Sequence, residues 1–273
     1  YRGFREILAS LCQGSPPCTV EYGIVLDSPA ILESERHLET MPEPPLVAQV
    51  PLPTMDKLDS DGHIVVFMDG ACKRQRMARL RRAGAGLFYG TDHPGNKSWA
   101  LPGIRQSNQR AELWAAVRAM EENHHRAVHI YTDSAYVHSN FHRWSHWRHR
   151  GWKGDHADLW HRMSVCIERQ SHPIKVSKVK AHLTWQHVAL GLIDADLKIG
   201  DAGADQLARH GADLHESLIG LERDAAVRKE KARKCHRIMQ RILEDRDEMY
   251  AELPSHVVGP PGRFTRNVRR RRA

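Results

Sequence analysis

Residues 64–72 read IVVFMDGAC, and the interpretation of the chain begins from this stretch. The apolar residues from Ile64 to Met68 are typical of a strand that is buried on both faces of a sheet. The run meets a carboxylate at Asp69, where we expect the strand to end. An ionised carboxylate there must pair with a cation, face solvent or hold a metal ion. For a single aspartate the first two outcomes are the common ones, so the position of further carboxylates decides between them.

Composition and cysteine usage exclude several classes of protein. The chain has 273 residues, of which 41% are hydrophobic, so it can build a core of useful size. It has no stretch of the roughly 18 apolar residues that a membrane-spanning helix needs, and no secretory type of apolar segment at its start. Its five cysteines are scattered without a C-x-x-C pair, which predicts free thiols. We therefore expect an intracellular protein, in the nucleus or the cytoplasm, that is neither secreted nor membrane-bound.

Charge is distributed unevenly along the chain. Residues 1–61 hold 4 Lys and Arg against 10 Asp and Glu, whereas residues 62–215 hold 22 against 14. Residues 223–273 hold 15 against 7 and end in a run of arginines. A basic centre and a basic tail behind an acidic leader favour a polyanionic partner, although solvated helices are often this basic.

Prolines and hydrophobic periodicity divide the chain into three parts. We interpret residues 1–61 as an acidic leader that ends in a proline-rich linker, because five of the twelve residues at 42–53 are proline. A domain follows over 62–213, and residues 214–273 form a basic helical extension, at 223–247, and a disordered, arginine-rich tail. In the domain we predict strands at 63–69, 83–90, 97–101, 127–133 and 174–181, and helices at 108–122, from Ser134, at 157–169 and at 201–213. This order describes a mixed sheet covered by helices.

Further carboxylates fall where the predicted elements bring them toward Asp69. Asp133 ends the fourth strand in HIYTDS, so it would lie beside Asp69 on a neighbouring strand. Glu112 lies in the first turns of the helix at 108–122, and Asp205 lies in GDAGADQLA, at the start of the last helix. Four converging carboxylates repel one another and raise each other's pKa unless divalent cations neutralise them. Oxygen ligands of this kind suit Mg²⁺ or Mn²⁺.

Taken in order, these motifs resemble the type 1 ribonuclease H family, whose members cut the RNA strand of RNA/DNA hybrids. The resemblance covers residues 62–213 and implies an α/β fold with a five-stranded mixed sheet, in which strands 1 to 3 are antiparallel, flanked by helices. The matching pieces are MDGAC at 68–72, RRAGAGLFYG at 81–90, LPGIRQSNQRAEL at 101–113, IYTDSAYV at 130–137, RGWK at 150–153, ADLW at 157–160, VKAH at 179–182 and GDAGADQLA at 200–208.

The resemblance also implies which residues carry the chemistry. Asp69, Glu112, Asp133 and Asp205 match the family's four metal-binding carboxylates, which hold two Mg²⁺ ions that Mn²⁺ can replace. His182 matches a mobile histidine that assists proton transfer or product release, although a histidine in KVKAHL is more often a solvated loop residue. The implied reaction is endonucleolytic hydrolysis of the RNA strand, which leaves a 5′-phosphate and a 3′-hydroxyl.

Four residues near the start of the helix at 108–122 match substrate contacts of the family. Asn108 and Gln109 match residues that contact the hybrid in its minor groove, where 2′-hydroxyls distinguish RNA from DNA. Arg105 and Ser107 resemble a pocket that holds a phosphate of the DNA strand. Ser107 or Asn108 would also serve as the N-cap of the helix, and the two roles are compatible.

The basic, tryptophan-rich stretch at 143–153 resembles the protrusion that family members place along the DNA strand. We assign Trp144 to the DNA channel and interpret Trp147 and Trp152 as packing residues. Four histidines at near-helical spacing between residues 138 and 149 have the side chains for a zinc site. A partly protonated basic face near nucleic acid is the more common outcome for such a group.

Two of the departures from the family pattern affect the choice of site residues. The segment at 73–82, KRQRMARLRR, offers Gln75 where the family has a short polar residue that contacts RNA. The insertion at 183–204 contains Asp194, Asp196 and Asp201, each an alternative for the fourth metal ligand. We prefer Asp205, because it directly precedes the apolar helix residues QLA at the family's spacing.

Three functions remain open on the sequence. The first is an active ribonuclease on RNA/DNA hybrids, either free-standing or as the nuclease part of a reverse-transcribing element. The second is a nucleic-acid-binding module that kept the fold and lost catalysis, for which a replaced carboxylate would be the mark. The third is a different polynucleotidyl transferase, such as an integrase or a resolvase, which NQRAEL and RGWK disfavour. We expect the first, since none of the four carboxylates is replaced.

Overall fold

The computed structural model describes residues 29–180, 184–218 and 220–252. One compact unit extends from Pro29 to Glu222, and the chain from Arg223 onward belongs to a second unit. None of the helices in the described part of the chain is long and apolar enough to cross a membrane.

A five-stranded sheet forms the centre of the first unit, with the strand order β3-β2-β1-β4-β5. β1 pairs antiparallel with β2, and β2 pairs antiparallel with β3. β4 pairs parallel with both β1 and β5. The strands are β1 (Ile64–Lys73), β2 (Arg82–Phe88), β3 (Lys97–Ala100), β4 (Val128–Thr132) and β5 (Ile174–Lys178). This arrangement confirms the predicted mixed sheet with three antiparallel strands.

Helices cover both faces of this sheet. α2 packs on β1 and β2 and also contacts α5, whereas α7 packs on β1, β2 and β3. The helices of the first unit are α1 (Pro29–Thr40), α2 (Asn108–Glu122), α3 (Ala135–Phe141), α4 (Trp144–His149), α5 (Ala157–Arg169), α6 (Trp185–Ala189) and α7 (Ala195–Asp213). The bounds of α2 and α5 are those predicted, whereas α7 begins earlier than residue 201, and α1, α4 and α6 were not predicted.

The first strand does not end at Asp69, and that prediction is wrong. β1 continues to Lys73, which pairs with Arg82 of β2. On its other side, however, β1 pairs with β4 only as far as Phe67 and Tyr131. The residues after Asp69 are small and continue the antiparallel pairing of β1 with β2. The end of the apolar run therefore marks only where β1 stops pairing with β4, and Asp69 lies in β1 past that point.

The apolar run at the start of β1 is buried on both faces, as predicted. All five side chains from Ile64 to Met68 are buried. Ile64, Val66 and Met68 belong to the main core, which the residues of α2 complete. Val65 and Phe67 face the other side and pack with Ala204 of α7. Each such side chain contributes about 1.5 to 3 kcal/mol when it is fully buried, so β1 anchors both helical layers.

Glycines let the helices lie directly on the sheet. A Cβ atom at Gly70 would lie 2.2 Å from the backbone nitrogen of Glu112, so only glycine allows this part of α2 to approach β1. On the opposite face, a Cβ at Gly84 would lie 1.9 Å from the backbone nitrogen of Ala212 in α7. The motif MDGAC thereby fixes the distance of α2 from β1, and AGAG fixes the distance of α7 from β2.

The segment before residue 62 packs on the domain instead of forming a free linker. Residues 41–50 form no helix or strand, as their prolines predict. Yet the backbone N–H of Gln49 donates to the carbonyl of Glu122 at 2.8 Å, and the buried Arg118 donates to the carbonyls of Pro44 and Pro45 at 3.2 and 2.7 Å. Because the buried guanidinium of Arg118 needs hydrogen-bond acceptors, it holds the segment at residues 44–45 against the domain. The division of the chain at residue 62 stays a prediction.

One long helix, α8 (Leu221–Glu252), begins with the last two residues of the first unit, and its remaining residues belong to the second unit. It extends beyond the predicted helical segment at 223–247 at both ends. Residues 254–273, predicted to be disordered, lie outside the described residues.

Candidate active site

Three of the four predicted metal ligands meet at one end of the sheet. Asp69 projects from β1, Glu112 from the start of α2, and Asp133 directly follows the last residue of β4. One carboxylate oxygen of each lies within 4.8 Å of the others. The parallel pairing of β1 with β4 and the close approach of α2 at Gly70 produce this meeting point.

Two side chains hold the carboxylate of Glu112 in place. Asn108 Nδ2 donates to Glu112 Oε1 at 2.6 Å, and Ser134 Oγ donates to Oε2 at 2.6 Å. Ser134 is also the N-cap of α3, since its Oγ accepts the backbone N–H of Val137 at 3.2 Å. Ser134 is not among the predicted site residues, although its place after Asp133 in a capping position was a visible signal. Asn108, expected to contact substrate, here orients a carboxylate.

The three carboxylates oppose each other's ionisation. Burial, with the charges of Asp133, Glu112 and Asp205, raises the pKa of Asp69 to about 8 against one hydrogen bond from the backbone N–H of Gly70. Burial and Asp133 also raise the pKa of Glu112, against the hydrogen bonds from Ser134 and Asn108. Near neutral pH Asp69 therefore keeps its proton, because its surroundings do not compensate a further negative charge in the group.

This donor set fits a hard divalent cation. The ligand atoms are carboxylate oxygens, which Mg²⁺ and Mn²⁺ prefer over the nitrogen and sulfur ligands that favour zinc. A cation would offset the burial and the repulsion that together raise the pKa of Asp69. Asp69, Glu112 and Asp133 are the residues that would hold it.

Asp205 lies on the rim of the same cleft. The cleft has a volume of about 800 Å³ and is bordered by all four predicted carboxylates. The Asp205 side chain is 41% exposed, and its Oδ2 lies 2.8 Å from Nη2 of Arg209, one helical turn away. Asp205 is absent from the group of three whose oxygens lie within 4.8 Å. It acts on Asp69 through its charge.

The three aspartates of the insertion differ in whether they border the cleft. Asp194 is the N-cap of α7, where its side chain accepts the backbone N–H of Asp196. Asp196 pairs with Lys57. Asp201, by contrast, borders the cleft together with Asp205. The geometry therefore excludes Asp194 and Asp196 as metal ligands. The preference for Asp205 over Asp201 still rests on the sequence.

Residues expected to contact substrate fall in three places. Asn108 borders the cleft, and Gln109 is exposed on the first turn of α2. Ser107 is the N-cap of α2 and accepts the backbone N–H of Arg110 at 3.2 Å. Arg105 lines a separate cavity of about 400 Å³ beside α5. The helix-capping role of Ser107 is thus present, and the substrate contacts stay predictions.

The tryptophans of the basic stretch do not line one channel. Trp147 and Trp152 border a cavity of about 260 Å³ with Tyr136 and Trp160, whereas Trp144 is not among its lining residues. Trp152 stacks on Trp160 with 5.9 Å between ring centroids and packs against the core. Trp144 is half-buried at the start of α4, and its assignment to a DNA channel stays a prediction.

The histidine predictions have two outcomes. His182 lies outside the described residues. The four histidines between residues 138 and 149 form no group of potential metal ligands within the described chain. The Nε2 atom of His142 lies 3.2 Å from the carbonyl oxygen of Val176 on β5, so this histidine serves the packing of α3 on the sheet.

Comparison with protein families identifies the central domain. The family model described as RNase H matches residues 61–213, which is more than half of the chain. The chain belongs to the RNase H family. This RNase H domain contains all the carboxylates of the cleft, and its matched region ends where α7 ends.

The curated relatives that match the chain are named ribonuclease H1 or ribonuclease H. Ribonuclease H1 from Homo sapiens is 34% identical over 160 residues, which are 56% of this chain and 51% of that protein. Ribonuclease H from Pseudomonas fluorescens is 30% identical over 158 residues, which are 55% of this chain and 92% of that protein. The chain thus spans about half the length of the mammalian relatives that it matches.

Solved structures of related proteins show lower similarity. LC9-RNase H1, described as a type 1 RNase H with the type 2 active-site motif, gives a TM-score of 0.40 with 23% identity over 56% of this chain and 74% of that one. A foamy viral protease-reverse transcriptase in complex with RNA/DNA hybrid gives a TM-score of 0.42 with 20% identity over 63% of this chain and 22% of that one.

Proposed function

We propose that the protein is a metal-dependent endonuclease that hydrolyses the RNA strand of RNA/DNA hybrids and leaves 5′-phosphate and 3′-hydroxyl ends. The observation that carries this proposal is the group of Asp69, Glu112 and Asp133 in an open cleft of an RNase H domain. Their oxygens converge, and the pKa of Asp69 is raised to about 8. A divalent cation bound among these oxygens would offset both the burial and the repulsion that raise this pKa.

The residues of the chain prepare the site in three ways. Asn108 and Ser134 fix both oxygens of Glu112. The backbone N–H of Gly70 donates to Asp69 Oδ1 at 2.7 Å, which restricts the orientation of this carboxylate. Asp133 completes the group from the end of β4. Two bound Mg²⁺ ions, or Mn²⁺ in their place, would supply stabilisation of the charge that develops on the phosphate during hydrolysis.

In this proposal, residues around the N-terminus of α2 distinguish an RNA/DNA hybrid from other duplexes. Asn108 borders the cleft, and Gln109 is exposed beside it. Amide side chains at this place suit hydrogen bonds to bases and 2′-hydroxyls in a shallow minor groove. Arg105, on the other side of Ser107, is exposed and suits a phosphate of the DNA strand.

A second function is favoured by one observation. Asp205 pairs with Arg209 on the rim of the cleft and stands outside the close group of three carboxylates. If this pairing persists with substrate bound, the cleft holds fewer metal ligands than the four that the sequence predicts. The protein would then be an RNase H domain that binds nucleic acid and has impaired catalysis.

Cleavage of a labelled RNA/DNA hybrid separates these functions. Wild-type protein and Asp133→Asn are assayed with Mg²⁺, Mn²⁺ or EDTA, and with RNA/RNA and DNA/DNA duplexes as controls. Asp92→Asn is a matched variant, because it makes the same chemical change at an exposed turn residue with a φ of 54°, a conformation that asparagine accepts. We expect metal-dependent cleavage of the RNA strand alone, lost in Asp133→Asn and kept in Asp92→Asn. Binding of the hybrid without cleavage in either metal would favour the second function.

A further inference from the structure

The turn between β1 and β2 is the most strongly charged short segment near the cleft. It has the sequence KRQRMARLRR at residues 73–82, with six Lys and Arg among its ten residues, and we call it the arginine turn. It directly continues the strand that carries Asp69. Two of its residues, Lys73 and Gln75, border the cleft. A run of cations is most often a solvated surface, so the use of each charge decides what this turn does.

Most charges of the arginine turn are engaged within the protein. Lys73 pairs with Asp213 of α7, and Arg74 pairs with Glu222. Arg81 donates through Nη2 to the carbonyl of Gln75 at 2.9 Å. The two other engaged cations are Arg79 and Arg82, which contact α1.

Helix α1 and Glu222 hold the arginine turn from outside the region that matches the family model. Arg82 is buried and donates through Nη2 to the carbonyl of Ser34 at 3.2 Å. Arg79 Nε lies 3.5 Å from Glu35 Oε1. Arg74 adopts a left-handed backbone with a φ of 58°, which a residue with a side chain rarely adopts, and it pairs with Glu222. The flanking segments of the RNase H domain thus fix the shape of the turn.

Arg76 is the exception. It is exposed, and within the described part of the chain its guanidinium has no hydrogen bond or ion pair. It directly follows Gln75, which borders the cleft. The arginine turn, whose other cations are engaged, thus presents one unpaired guanidinium at the residue next to one that borders the cleft.

We propose that Arg76 binds a phosphate of the cleaved strand next to the scissile one, and that α1 and Glu222 position the arginine turn for this contact. The proposal rests on the proposed function, because the cleaved strand is the one that the carboxylate cleft receives. A guanidinium matches a phosphate with two parallel hydrogen bonds and keeps its charge at every working pH. The contact forms when substrate binds and does not change during the reaction, so it contributes to substrate affinity and not to turnover.

Binding and steady-state kinetics of Arg76→Gln test this contact. Arg76→Lys keeps the charge without the planar fork, and Arg36→Gln removes an exposed arginine of α1 as the matched control. Affinity for a hybrid is measured in EDTA over a series of salt concentrations, and cleavage is measured in Mg²⁺. We expect Arg76→Gln to raise KM about 3- to 10-fold with kcat unchanged and to reduce the slope of log affinity against log salt by about one. Arg76→Lys should keep the slope, and Arg36→Gln should match wild type.

A modified substrate assigns the contact to the cleaved strand. Hybrids with one uncharged methylphosphonate beside the cut, in either the RNA or the DNA strand, are compared for wild type and Arg76→Gln. The RNA-strand modification should weaken wild type and leave Arg76→Gln unaffected. A salt slope and KM of Arg76→Gln equal to those of wild type would overturn the proposal. An equal loss with both modified strands would overturn the choice of strand. If wild type cuts no hybrid, the proposed function has failed, and the salt slope still decides whether Arg76 contacts a phosphate.

Discussion

Two groups of acidic side chains lie at opposite ends of the same pair of strands, and they differ in how their charge is met. Asp69, Glu112 and Asp133 gather where the pairing of β1 with β4 ends, and burial and mutual repulsion raise the pKa of Asp69 to about 8. Asp59 and Asp61 gather with His63 before β1 begins. Burial also disfavours the charge of Asp59, but its pKa is lowered well below the ordinary value.

Hydrogen-bond donors explain the difference. Asp59 Oδ1 accepts the backbone N–H groups of Asp61 and His63, each at 2.9 Å, and lies 3.0 Å from His63 Nδ1. Its Oδ2 lies 2.8 Å from Nδ1 of His129 on β4 and 3.5 Å from Lys175 Nζ on β5. The protein itself thus neutralises the group around Asp59, which ties the chain before β1 to β4 and β5. The supply of hydrogen-bond donors, more than the number of carboxylates, thus distinguishes an acidic group with a lowered pKa from one with a raised pKa.

The largest expected effect is the loss of hydrolysis when the cleft group is broken. Asp133→Asn removes a ligand charge, and we expect the rate of hybrid cleavage to fall at least about 1000-fold, because bound cations contribute several kcal/mol to charge stabilisation. Asp59→Asn, at the other end of the strands, should keep its activity at temperatures where it is folded. Equal losses in the two variants would show that the two groups do not differ in the way described.

Ser134→Ala sharpens the comparison within the cleft. The variant removes the donor to Glu112 Oε2 and the N-cap of α3. We expect the apparent affinity for Mg²⁺ to fall about 10- to 100-fold, as is typical when a partner that orients a ligand is lost, and stability to fall by about 1 kcal/mol. Ser164→Ala is the control, since its Oγ donates to the carbonyl of His161 within α5. Unchanged Mg²⁺ dependence of cleavage in Ser134→Ala would contradict its role.

Asp59→Asn should be costly for folding. We expect it to lower the free energy of unfolding at pH 7 by about 2 kcal/mol, because buried donors lose a charged acceptor. The folded-state pKa of Asp59 is lowered, so its contribution to stability is present above the unfolded-state pKa of about 4 and disappears as pH falls below it. Denaturant unfolding of wild type and variant between pH 3 and 7 measures this. A difference that persists undiminished at pH 3 would be inconsistent with ionised Asp59 as the source.

Asp69→Asn should have the opposite effect on stability in the metal-free protein, where it should raise the free energy of unfolding. Its folded-state pKa of about 8 lies above the unfolded value, so protonated Asp69 stabilises the fold at low pH, and this contribution is lost as pH rises toward 8. Solvent in the open cleft screens the repulsion, and we expect the advantage of Asp69→Asn over wild type in EDTA to grow by about 1 kcal/mol between pH 5 and 8. Thermal unfolding with and without Mg²⁺ checks this, since bound Mg²⁺ should reverse the advantage.

Much of the fold follows from local sequence patterns. The apolar run of β1, the helical period of α2 and the glycines of β2 predict the sheet and its helices, because each pattern is satisfied within one element. The end of β1 was misjudged, since the continued pairing of residues after Asp69 depends on β2, a separate part of the chain. The packing of residues 41–50 was missed for a similar reason: the buried Arg118 that holds them lies in α2.

In the candidate site, too, the sequence predicts which residues take part better than how they are oriented. The carboxylates were found because each stands at a predicted strand end or helix start. Their orientation was not, because Ser134 and Glu112 are 22 residues apart and meet only in the folded chain. The pairing of Asp205 with Arg209 spans one helical turn and was visible in the sequence, but its effect depends on where α7 lies on the sheet.

Calorimetric titration of Mg²⁺ into the metal-free protein tests the central claim most directly. Measured in buffers of different ionisation enthalpy near pH 7, binding to wild type and to Asp59→Asn should release a proton, because Mg²⁺ displaces the proton that the raised pKa of Asp69 retains. Asp69→Asn should bind weakly and release none. Absence of Mg²⁺ binding to wild type, or binding that Asp69→Asn and Glu112→Gln leave unchanged, would show that the cleft carboxylates are not a metal site.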